Sequence, residues 1–204
     1  MSEFDQKATT WDKDQIHIQR SEAIANELLK MIPITTNMKA LEFGAGTGLL
    51  SFILKDKLSE IVMVDNSKEM IRVAQEKIEE GKNLNMKALC IDLEKEPYEN
   101  QFDLIYNQMV FHHVDNIKAI VEKFHTLLKP GGYLAIADLY TEDGSFHGKD
   151  FTGHKGFEVD QLANILERQN FANIQHKECF VIHRVNENKV KTSYPIFLLT
   201  ATRK

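Results

Sequence analysis

The chain has 204 residues, of which 43% are hydrophobic and 27% are charged, and its net charge is −5. This composition is ordinary for a globular domain with a sizeable core. The acidic balance and the scattered Lys and Arg residues give no electrostatic reason to expect nucleic acid or an anionic membrane as a partner. No apolar run approaches the ~20 residues of a membrane span, and no signal-peptide pattern opens the chain. We therefore expect a cytoplasmic globular protein.

The two cysteines, Cys90 and Cys179, lie far apart in the sequence, each within an apolar run that is typical of a strand. A reducing cytosol leaves such cysteines unpaired. We expect both to be buried free thiols.

The first predicted helix covers residues 14–31, where Ile24, Leu28 and Met31 recur at helical spacing, and Pro33 ends it. The polar residues 1–12 before it are expected to be mobile. Trp11 leaves two interpretations open. It can fold with the first helix over the following glycine loop as a lid, or it can act as a staple for a helix that simply packs on the sheet.

The next segment, MKALEFGAGTGLL at 38–50, predicts an apolar strand, a glycine turn and the start of a helix. Glycine is needed where φ is positive or where a ligand approaches the backbone closely. A helix that begins at such a turn directs free N–H groups and the positive end of its dipole toward the turn. The order strand, glycine loop, helix therefore predicts a cradle for a nucleotide-like or anionic ligand.

Strands and helices then alternate, which predicts a parallel sheet covered on both faces. Ser67 and Gly81 are the expected caps of the helix after the second strand, and Pro130-Gly131-Gly132 is expected to end the following helix. The predicted strands after the first are 61–64, 84–91, 102–106 and 133–139, and the helices between them are 67–81 and 116–129.

A polar loop at 141–156, rich in Gly and His, precedes a predicted helix at 159–169. Two further strands, at 174–185 and 194–201, are joined by the polar turn 186–189 and predict an antiparallel hairpin. Pro195 cannot donate to a central ladder and is expected at the start of its strand.

Polar side chains follow five of the predicted strands, at the point where each strand ends: Glu42, Asp65, Asp92, Asn107 and Asp138. In an open parallel sheet the ligand lies beyond these carboxyl ends. A carboxylate after the second strand suits the two hydroxyls of a ribose, and one after the third can accept from an exocyclic amine such as adenine N6. The pattern predicts a nucleoside site.

The glycine loop narrows the choice of nucleoside. A dinucleotide fingerprint needs G-x-G-x-x-G, but Leu49 occupies the third glycine position and the glycine lies at 48 instead. The loop also lacks the lysine of a P-loop. These differences argue against a nicotinamide-dependent oxidoreductase and against a nucleoside triphosphate site of the P-loop kind.

The segments LEFGAGTG, VDNSKEMIRVAQ, CIDLE, FDLIYNQMVFHHVDN and LLKPGGYLAIADL resemble the successive motifs of class I S-adenosylmethionine-dependent methyltransferases. The nearest resemblance is to the methyltransferase type 11/12 group, which includes the ubiquinone and menaquinone biosynthesis C-methyltransferases. It implies an α/β fold with a Rossmann-like seven-stranded sheet, mostly parallel with the last strand antiparallel, flanked by helices. It also implies one methyltransferase domain over 1–204, with an N-terminal helical cap at 1–33, a cofactor-binding core at 38–139, and a substrate loop and closing hairpin at 140–204.

The resemblance further implies which residues contact S-adenosylmethionine. The methionine part would meet Glu42, where the family often has aspartate, and the loop residues Gly44, Ala45, Gly46 and Gly48. Asp65 and Asn66 would take the ribose, Met70 and Leu93 would lie beside the adenine, Asp92 would accept from its amine, and Asn107 would meet the amino-acid end.

The implied activity is in-line transfer of the methyl group to a small-molecule acceptor, which leaves S-adenosylhomocysteine. Such a reaction mainly needs positioning and exclusion of water, and a general base only if the nucleophile arrives protonated. His113 and His112 are the predicted catalytic residues, although His113 could equally pack against or cap the next helix. The candidates for the acceptor side are His112, His113, Asp138, Tyr140, His147 and His154.

His147 and His154, with His112 and Asp138, could in principle make a metal site. Their spacing matches no metal signature, so we expect no metal site. The same fold could also bind S-adenosylmethionine without catalysis, as a regulatory protein.

Overall fold

The computed structural model describes residues 3–148, 150–185 and 191–204, and within them seven strands form one sheet. The strands are β1 (Lys39–Phe43), β2 (Glu60–Asp65), β3 (Met86–Cys90), β4 (Phe102–Gln108), β5 (Leu128–Leu139), β6 (Phe171–Val185) and β7 (Lys191–Arg203). Their order is β3-β2-β1-β4-β5-β7-β6, and β7 is antiparallel to both of its neighbours. The predicted seven-stranded sheet with an antiparallel last strand is confirmed.

Six α-helices accompany the sheet within the described ranges: α1 (Glu3–Lys7), α2 (Gln15–Met31), α3 (Leu49–Leu54), α4 (Lys68–Glu80), α5 (Ile117–Leu127) and α6 (Val159–Arg168). Helices α2, α3 and α4 pack in one apolar cluster, and α5 and α6 pack in another on the opposite face. No helix in this part of the chain has both the length and the apolar character needed to cross a bilayer.

The two clusters explain why the central strands are continuously apolar. Successive side chains of a strand point to opposite faces. Ala40 therefore joins the cluster under α2–α4, whereas its neighbour Leu41 joins the cluster under α5 and α6. A strand buried on both faces needs apolar residues at every position.

The predicted helix ends are correct where a cap was identified. The Ser67 side chain accepts a hydrogen bond from the Met70 N–H at 3.3 Å, and Gly81 is the C-cap of the same helix. Asp14 caps α2 through the Ile16 N–H at 2.8 Å. Helix α2 ends at Met31, two residues before Pro33.

The expectation of a mobile N-terminus is wrong for residues 3–12, and residues 1 and 2 lie outside the described residues. Helix α1 and a 3-10 turn at Ala8–Lys13 occupy this segment. Asp5 accepts from the Ser67 hydroxyl at 2.6 Å, and Asp12 accepts from the Thr47 hydroxyl at 2.5 Å. These polar contacts hold the segment against the loop after β1 and the start of α4.

The predicted boundary between the helix at 116–129 and the strand at 133–139 is also wrong. Helix α5 ends at Leu127 and β5 begins at the next residue. Leu128 pairs with Phe102 of β4, and regular pairing resumes between Leu104 and Tyr133. The Pro-Gly-Gly segment is thus an irregularity within a longer strand rather than a turn before a shorter one.

Pro195 was expected at the start of its strand but lies within β7, opposite Val181. Its carbonyl accepts from the Tyr140 N–H at 3.1 Å, just past the end of β5. The nitrogen and carbonyl of one residue in an antiparallel strand face the same neighbour. The missing N–H of Pro195 therefore costs no bond to β6. The predicted turn at 186–189 lies outside the described residues.

Both cysteines were expected to be unpaired and buried. They are unpaired, but neither is buried. Cys90 and Cys179 are both free thiols, but Cys90 is exposed at the end of β3 and Cys179 is only partly covered. Strand β3 lies at an edge of the sheet, which leaves its last residue open to solvent.

Candidate active site

A cavity of about 740 Å³ opens at the carboxyl ends of the central strands. Its wall includes the last residues of three strands, which are Phe43 of β1, Asp65 of β2 and Gln108 of β4, together with Gly44 after β1 and Asp92 after β3. Strands β1 and β4 are neighbours, and the strand order reverses between them. This is the position at which open parallel sheets bind ligands.

The glycine loop forms the floor of this cavity. Gly44 has φ +64°, and a Cβ there would lie 2.3 Å from Cγ2 of Val110. Gly46 has φ +55°, but a Cβ there would meet only Sδ of Met70 at 3.8 Å. Gly44 is therefore required by packing within the protein. The position that a Gly46 side chain would occupy is free apart from this one contact, so a ligand can approach the backbone there.

Asp65 holds the loop against the end of β2. Its two carboxylate oxygens accept from the N–H groups of Gly46 and Ser67, each at 2.8 Å. Burial raises the pKa of Asp65 above its ordinary value, and these backbone donors oppose the rise. Each carboxylate oxygen has a second lone pair, so the group can still accept from ligand hydroxyls.

The structure brings most of the residues implied for the cofactor to this one cavity. The residues of that set that line it are Gly44, Ala45, Gly46, Asp65, Asn66, Met70, Asp92 and Leu93. Glu94 lies beside Asp92 on the same wall and was not predicted. Asp65, Asp92 and Glu94 all lie at the ends of β2 and β3, on one side of the point where the strand order reverses.

Three of the implied cofactor residues, Glu42, Gly48 and Asn107, lie behind the cavity wall rather than on it. Glu42 is fully buried and accepts from the Ser51 hydroxyl, which in turn lies 2.6 Å from the Tyr106 hydroxyl. Burial raises the pKa of Glu42 to about 8, so this carboxyl is protonated at neutral pH. Neither side-chain polar atom of Asn107 has a partner among the described residues.

The N-terminal residues form the wall that faces the glycine loop. Phe4 and Trp11 line the cavity, and the Phe4 ring contacts His113 with centroids 5.3 Å apart. The Trp11 ring stacks on His17 at 4.0 Å, and the Trp11 carbonyl lies 3.1 Å from Nδ1 of His17. Trp11 is thus part of a ring assembly over the cavity, while Ile24 and Leu28 of α2 pack in the core.

His112 and Asp138 form a buried pair on the other side of the cavity. Nδ1 of His112 lies 2.7 Å from Oδ1 of Asp138, and the His112 N–H donates to Oδ2 at 3.2 Å. An ionised carboxylate can only accept, so Nδ1 of His112 is the donor of this bond. Asp138 lies behind the wall, whereas His112 is on it.

His113 and His147 lie beside His112, and one ring nitrogen from each of the three imidazoles lies within 4.8 Å of the other two. Burial and the neighbouring His112 lower the pKa of both His113 and His147 to about 4, so both are neutral at neutral pH. Such a cluster could hold a metal ion, although the sequence spacing predicted none. A histidine with this pKa is a weaker base than the sequence suggested.

The remaining acceptor-side candidates do not reach the cavity. Nε2 of His154 lies 3.1 Å from the Val114 carbonyl, and Tyr140 packs edge-on against Phe197. Neither residue is on the cavity wall.

Two arginines of the cavity wall were not predicted from the sequence. Arg20 lies on α2 three residues after His17, and both side chains line the cavity. Arg184 reaches in from β6, where its guanidinium stacks 3.8 Å from the Phe146 ring centroid and donates to the Phe146 carbonyl. The helical spacing of Asp14, His17 and Arg20 was the one available signal.

Residues 41–136 match the model of a family described as a methyltransferase domain. Among curated proteins, the chain is 29% identical to an uncharacterized methyltransferase of Schizosaccharomyces pombe over 158 residues, which is 69% of this chain and 55% of that protein. It is 26% identical to a malonyl-[acyl-carrier protein] O-methyltransferase of Ilyobacter polytropus over 185 residues, 90% of this chain and 65% of that protein. The chain therefore spans between half and two thirds of these relatives.

A solved structure of phosphoethanolamine N-methyltransferase 2 from Haemonchus contortus, in complex with S-adenosylmethionine, has the same fold. The TM-score is 0.71 at 15% sequence identity, over 100% of this chain and 60% of that chain. The matched domain and the curated relatives support the prediction from the sequence motifs, a class I S-adenosylmethionine-dependent methyltransferase, and the structure has the fold of such an enzyme.

Proposed function

We propose that this protein transfers the methyl group of S-adenosylmethionine to a small-molecule acceptor and releases S-adenosylhomocysteine. The observation that carries the proposal is the open backbone at Gly46, directly beside Asp65, at the point where the strand order reverses. The matched methyltransferase domain supports the same cofactor.

The residues present fit that cofactor. S-adenosylmethionine supplies an electrophilic methyl group on a sulfonium, and its positive charges favour a cavity with acidic walls. Asp65 would accept from the ribose hydroxyls and Asp92 from the adenine amine, with Met70 and Leu93 as apolar neighbours of the base. Glu42, buried and protonated, would act behind the loop through Ser51 rather than by direct contact.

We call the part of the cavity lined by Arg20, His112, His113, His147 and Arg184 the acceptor half. Its side chains can orient a nucleophile and take a proton. Asp138 fixes the orientation of His112 through Nδ1, so that Nε2 is the ring atom that would take a proton. His113 is the alternative base, and its low pKa suits an acceptor that needs little help to lose its proton. The N-terminal residues up to Arg20 would act as a cap that excludes water during transfer.

A non-catalytic protein that only binds S-adenosylmethionine is the second hypothesis, and it would require side chains to fill the space beyond the methyl group. The cavity instead continues past the glycine loop to Arg20, His147 and Arg184. This space supports an acceptor site.

The acceptors after which two similar methyltransferases are named share a chemical feature. A malonyl group carries a carboxylate, and phosphoethanolamine carries a phosphate. Both acceptors are therefore small molecules or groups with an anionic end.

The proposal is tested by calorimetric titration of the purified protein with S-adenosylmethionine and S-adenosylhomocysteine, with NAD⁺ as the control ligand. We expect saturable binding of both adenosyl compounds and none of NAD⁺. The same protein is then incubated with labelled S-adenosylmethionine and a metabolite mixture. Label in a small molecule supports transfer, whereas binding without any labelled product would favour the regulatory hypothesis.

A further inference from the structure

We infer that Arg20 forms an oxyanion-binding subsite, so that the methyl acceptor carries a carboxylate or phosphate group which the guanidinium binds. The inference rests on the proposed function, because it concerns the acceptor half of the same cavity. It adds a chemical class of acceptor to that function.

The first support is the burial of Arg20. The side chain is only 6% exposed, yet it lines the cavity. Its Nε is buried and has no hydrogen-bond partner among the described residues. A buried guanidinium without a partner is costly, because each desolvated N–H has lost a hydrogen bond to water. A ligand with accepting oxygens would supply the missing partner.

The second support is that the nearby acids are engaged elsewhere. Asp138 and Asp14 favour the charged form of Arg20, whereas burial lowers the pKa of Arg20 to about 10. Asp138 accepts from His112, and Asp14 accepts from the Ile16 N–H as the cap of α2. Arg20 therefore stays protonated at neutral pH with no carboxylate committed to it.

The third support is a second cation in the same half of the cavity. Arg184 enters from β6 and lines the same cavity, and its positive charge adds to the burial that lowers the pKa of Arg20. Phe146 holds Arg184 in place through its ring face and its carbonyl. An anion near both groups would offset both positive charges.

The acids beside the glycine loop and the buried guanidinium come from different elements, and Glu3 and Asp14 also line the cavity. Asp65 ends β2, and Asp92 and Glu94 follow β3, on the side of the cavity that fits the cationic cofactor. Arg20 is on α2, which contacts the end of β4 through a 3.1 Å bond from the Ser21 hydroxyl to Gln108. The planar fork of arginine matches the two oxygens of a carboxylate or phosphate better than any neutral group.

The test uses the full chain saturated with S-adenosylhomocysteine and three probes of similar shape: benzoate, phenyl phosphate and the neutral benzamide. Binding is measured by calorimetry and thermal shift. We expect at least one of the two anions to bind and benzamide to bind at least about tenfold more weakly, since one charge-assisted bond contributes that much. The stronger anion identifies the group as carboxylate or phosphate.

The variants are Arg20→Met, Arg20→Lys and, as a matched control, the exposed Arg168→Met. We expect the methionine variant to lose anion binding by at least about tenfold, the lysine variant to keep part of it, and the control to match the wild type. Without ligand, Arg20→Met should melt at or above the wild-type temperature, because it removes an unpaired buried charge. A structural arginine would give a lower melting temperature.

Three results would overturn the inference while the cofactor still binds: equal binding of benzamide and the anions, no binding of any probe, or unchanged anion binding in both Arg20 variants. Anion binding that disappears with a chelator would also overturn it, since a metal on His112, His113 and His147 would then hold the anion. Failure of the wild type to bind S-adenosylhomocysteine would instead remove the proposed function itself, and this inference with it.

Discussion

The two halves of the cavity are assembled in different ways. The cofactor half comes from one continuous stretch, in which the glycine loop, Asp65 and Asp92 follow three successive strands. The acceptor half combines Arg20, His112, His147 and Arg184, which lie on an α-helix, a short 3-10 helix, a loop and a distant strand, respectively. The first half is a local property of strand ends, whereas the second exists only once the whole sheet has formed. Changes in one half should therefore leave the other half intact, and the variants below test this in order of decreasing loss of cofactor affinity.

The largest loss is expected for Gly46→Val. The substitution places a branched side chain at φ +55° and directs it into the open space beside Asp65. We expect affinity for S-adenosylhomocysteine to fall at least about 100-fold by calorimetry. The matched control is Gly131→Val, where φ is +77° and the surroundings are equally open but lie outside the cavity. Equal losses in both variants would mean that backbone strain, not the cofactor site, is responsible.

A smaller loss is expected for Asp65→Asn. The amide keeps the size of the side chain but removes the charge and half of the accepting capacity that two ribose hydroxyls require. Charge-assisted hydrogen bonds contribute about 1.5–3 kcal/mol each, so affinity should fall about 10- to 100-fold. Affinity within a few-fold of the wild type would exclude Asp65 as the ribose acceptor.

Glu42→Gln should change stability rather than affinity. The pKa of Glu42 is raised to about 8 in the folded state from an ordinary value of 4.5. The folded state therefore holds this proton more tightly, and the contribution to stability is complete below pH 4.5 and is lost as the pH rises toward 8.

Urea unfolding at pH 5 and pH 8 measures this effect. We expect the difference in unfolding free energy between the two pH values to shrink by a few kcal/mol in Glu42→Gln, with cofactor affinity changed less than about threefold. The matched control is Glu122→Gln, an exposed position on α5, which should keep the pH dependence of the wild type. An unchanged pH dependence in Glu42→Gln would show that Glu42 is ionised in the folded protein.

No loss of cofactor affinity is expected for His113→Ala, which tests the separation of the halves most directly. With an acceptor identified from the labelled mixture, kcat should fall about 100- to 10,000-fold if His113 takes the proton. His112→Ala in parallel distinguishes the two candidate bases. A large loss of S-adenosylhomocysteine binding in His113→Ala would move this residue into the cofactor half.

The same contrast explains what the sequence could and could not predict. Gly44, Gly46 and Asp65 were found because turn chemistry and strand-end position are local patterns. His147 was only one of six acceptor-side candidates, and Arg184 lies in a strand of the predicted hairpin, so the place of both on the cavity wall depends on tertiary contacts. Arg20 lies within a segment that was predicted only as a helix, because burial of a charged side chain cannot be predicted from helical spacing.

Two errors have the same origin. Residues 3–12 were expected to be mobile because they are polar, but Asp5 and Asp12 find hydroxyl partners far along the chain. The start of β5 was misplaced because Pro-Gly-Gly usually marks a turn, and only pairing with β4 reveals the longer strand. Local composition predicts conformation poorly where a distant partner decides it.

The bonds of Asp12 have a consequence for ligand exchange. This carboxylate accepts from Thr47, inside the glycine loop, and from Lys77 of α4 at 2.7 Å. The amino-terminal segment is therefore fastened to the very loop that would touch the methionine end of the cofactor. Ligand binding at the loop and ordering of the first dozen residues are then energetically coupled, so each should favour the other. We therefore expect the N-terminal segment to loosen its contacts with the glycine loop when the adenosyl compound enters or leaves.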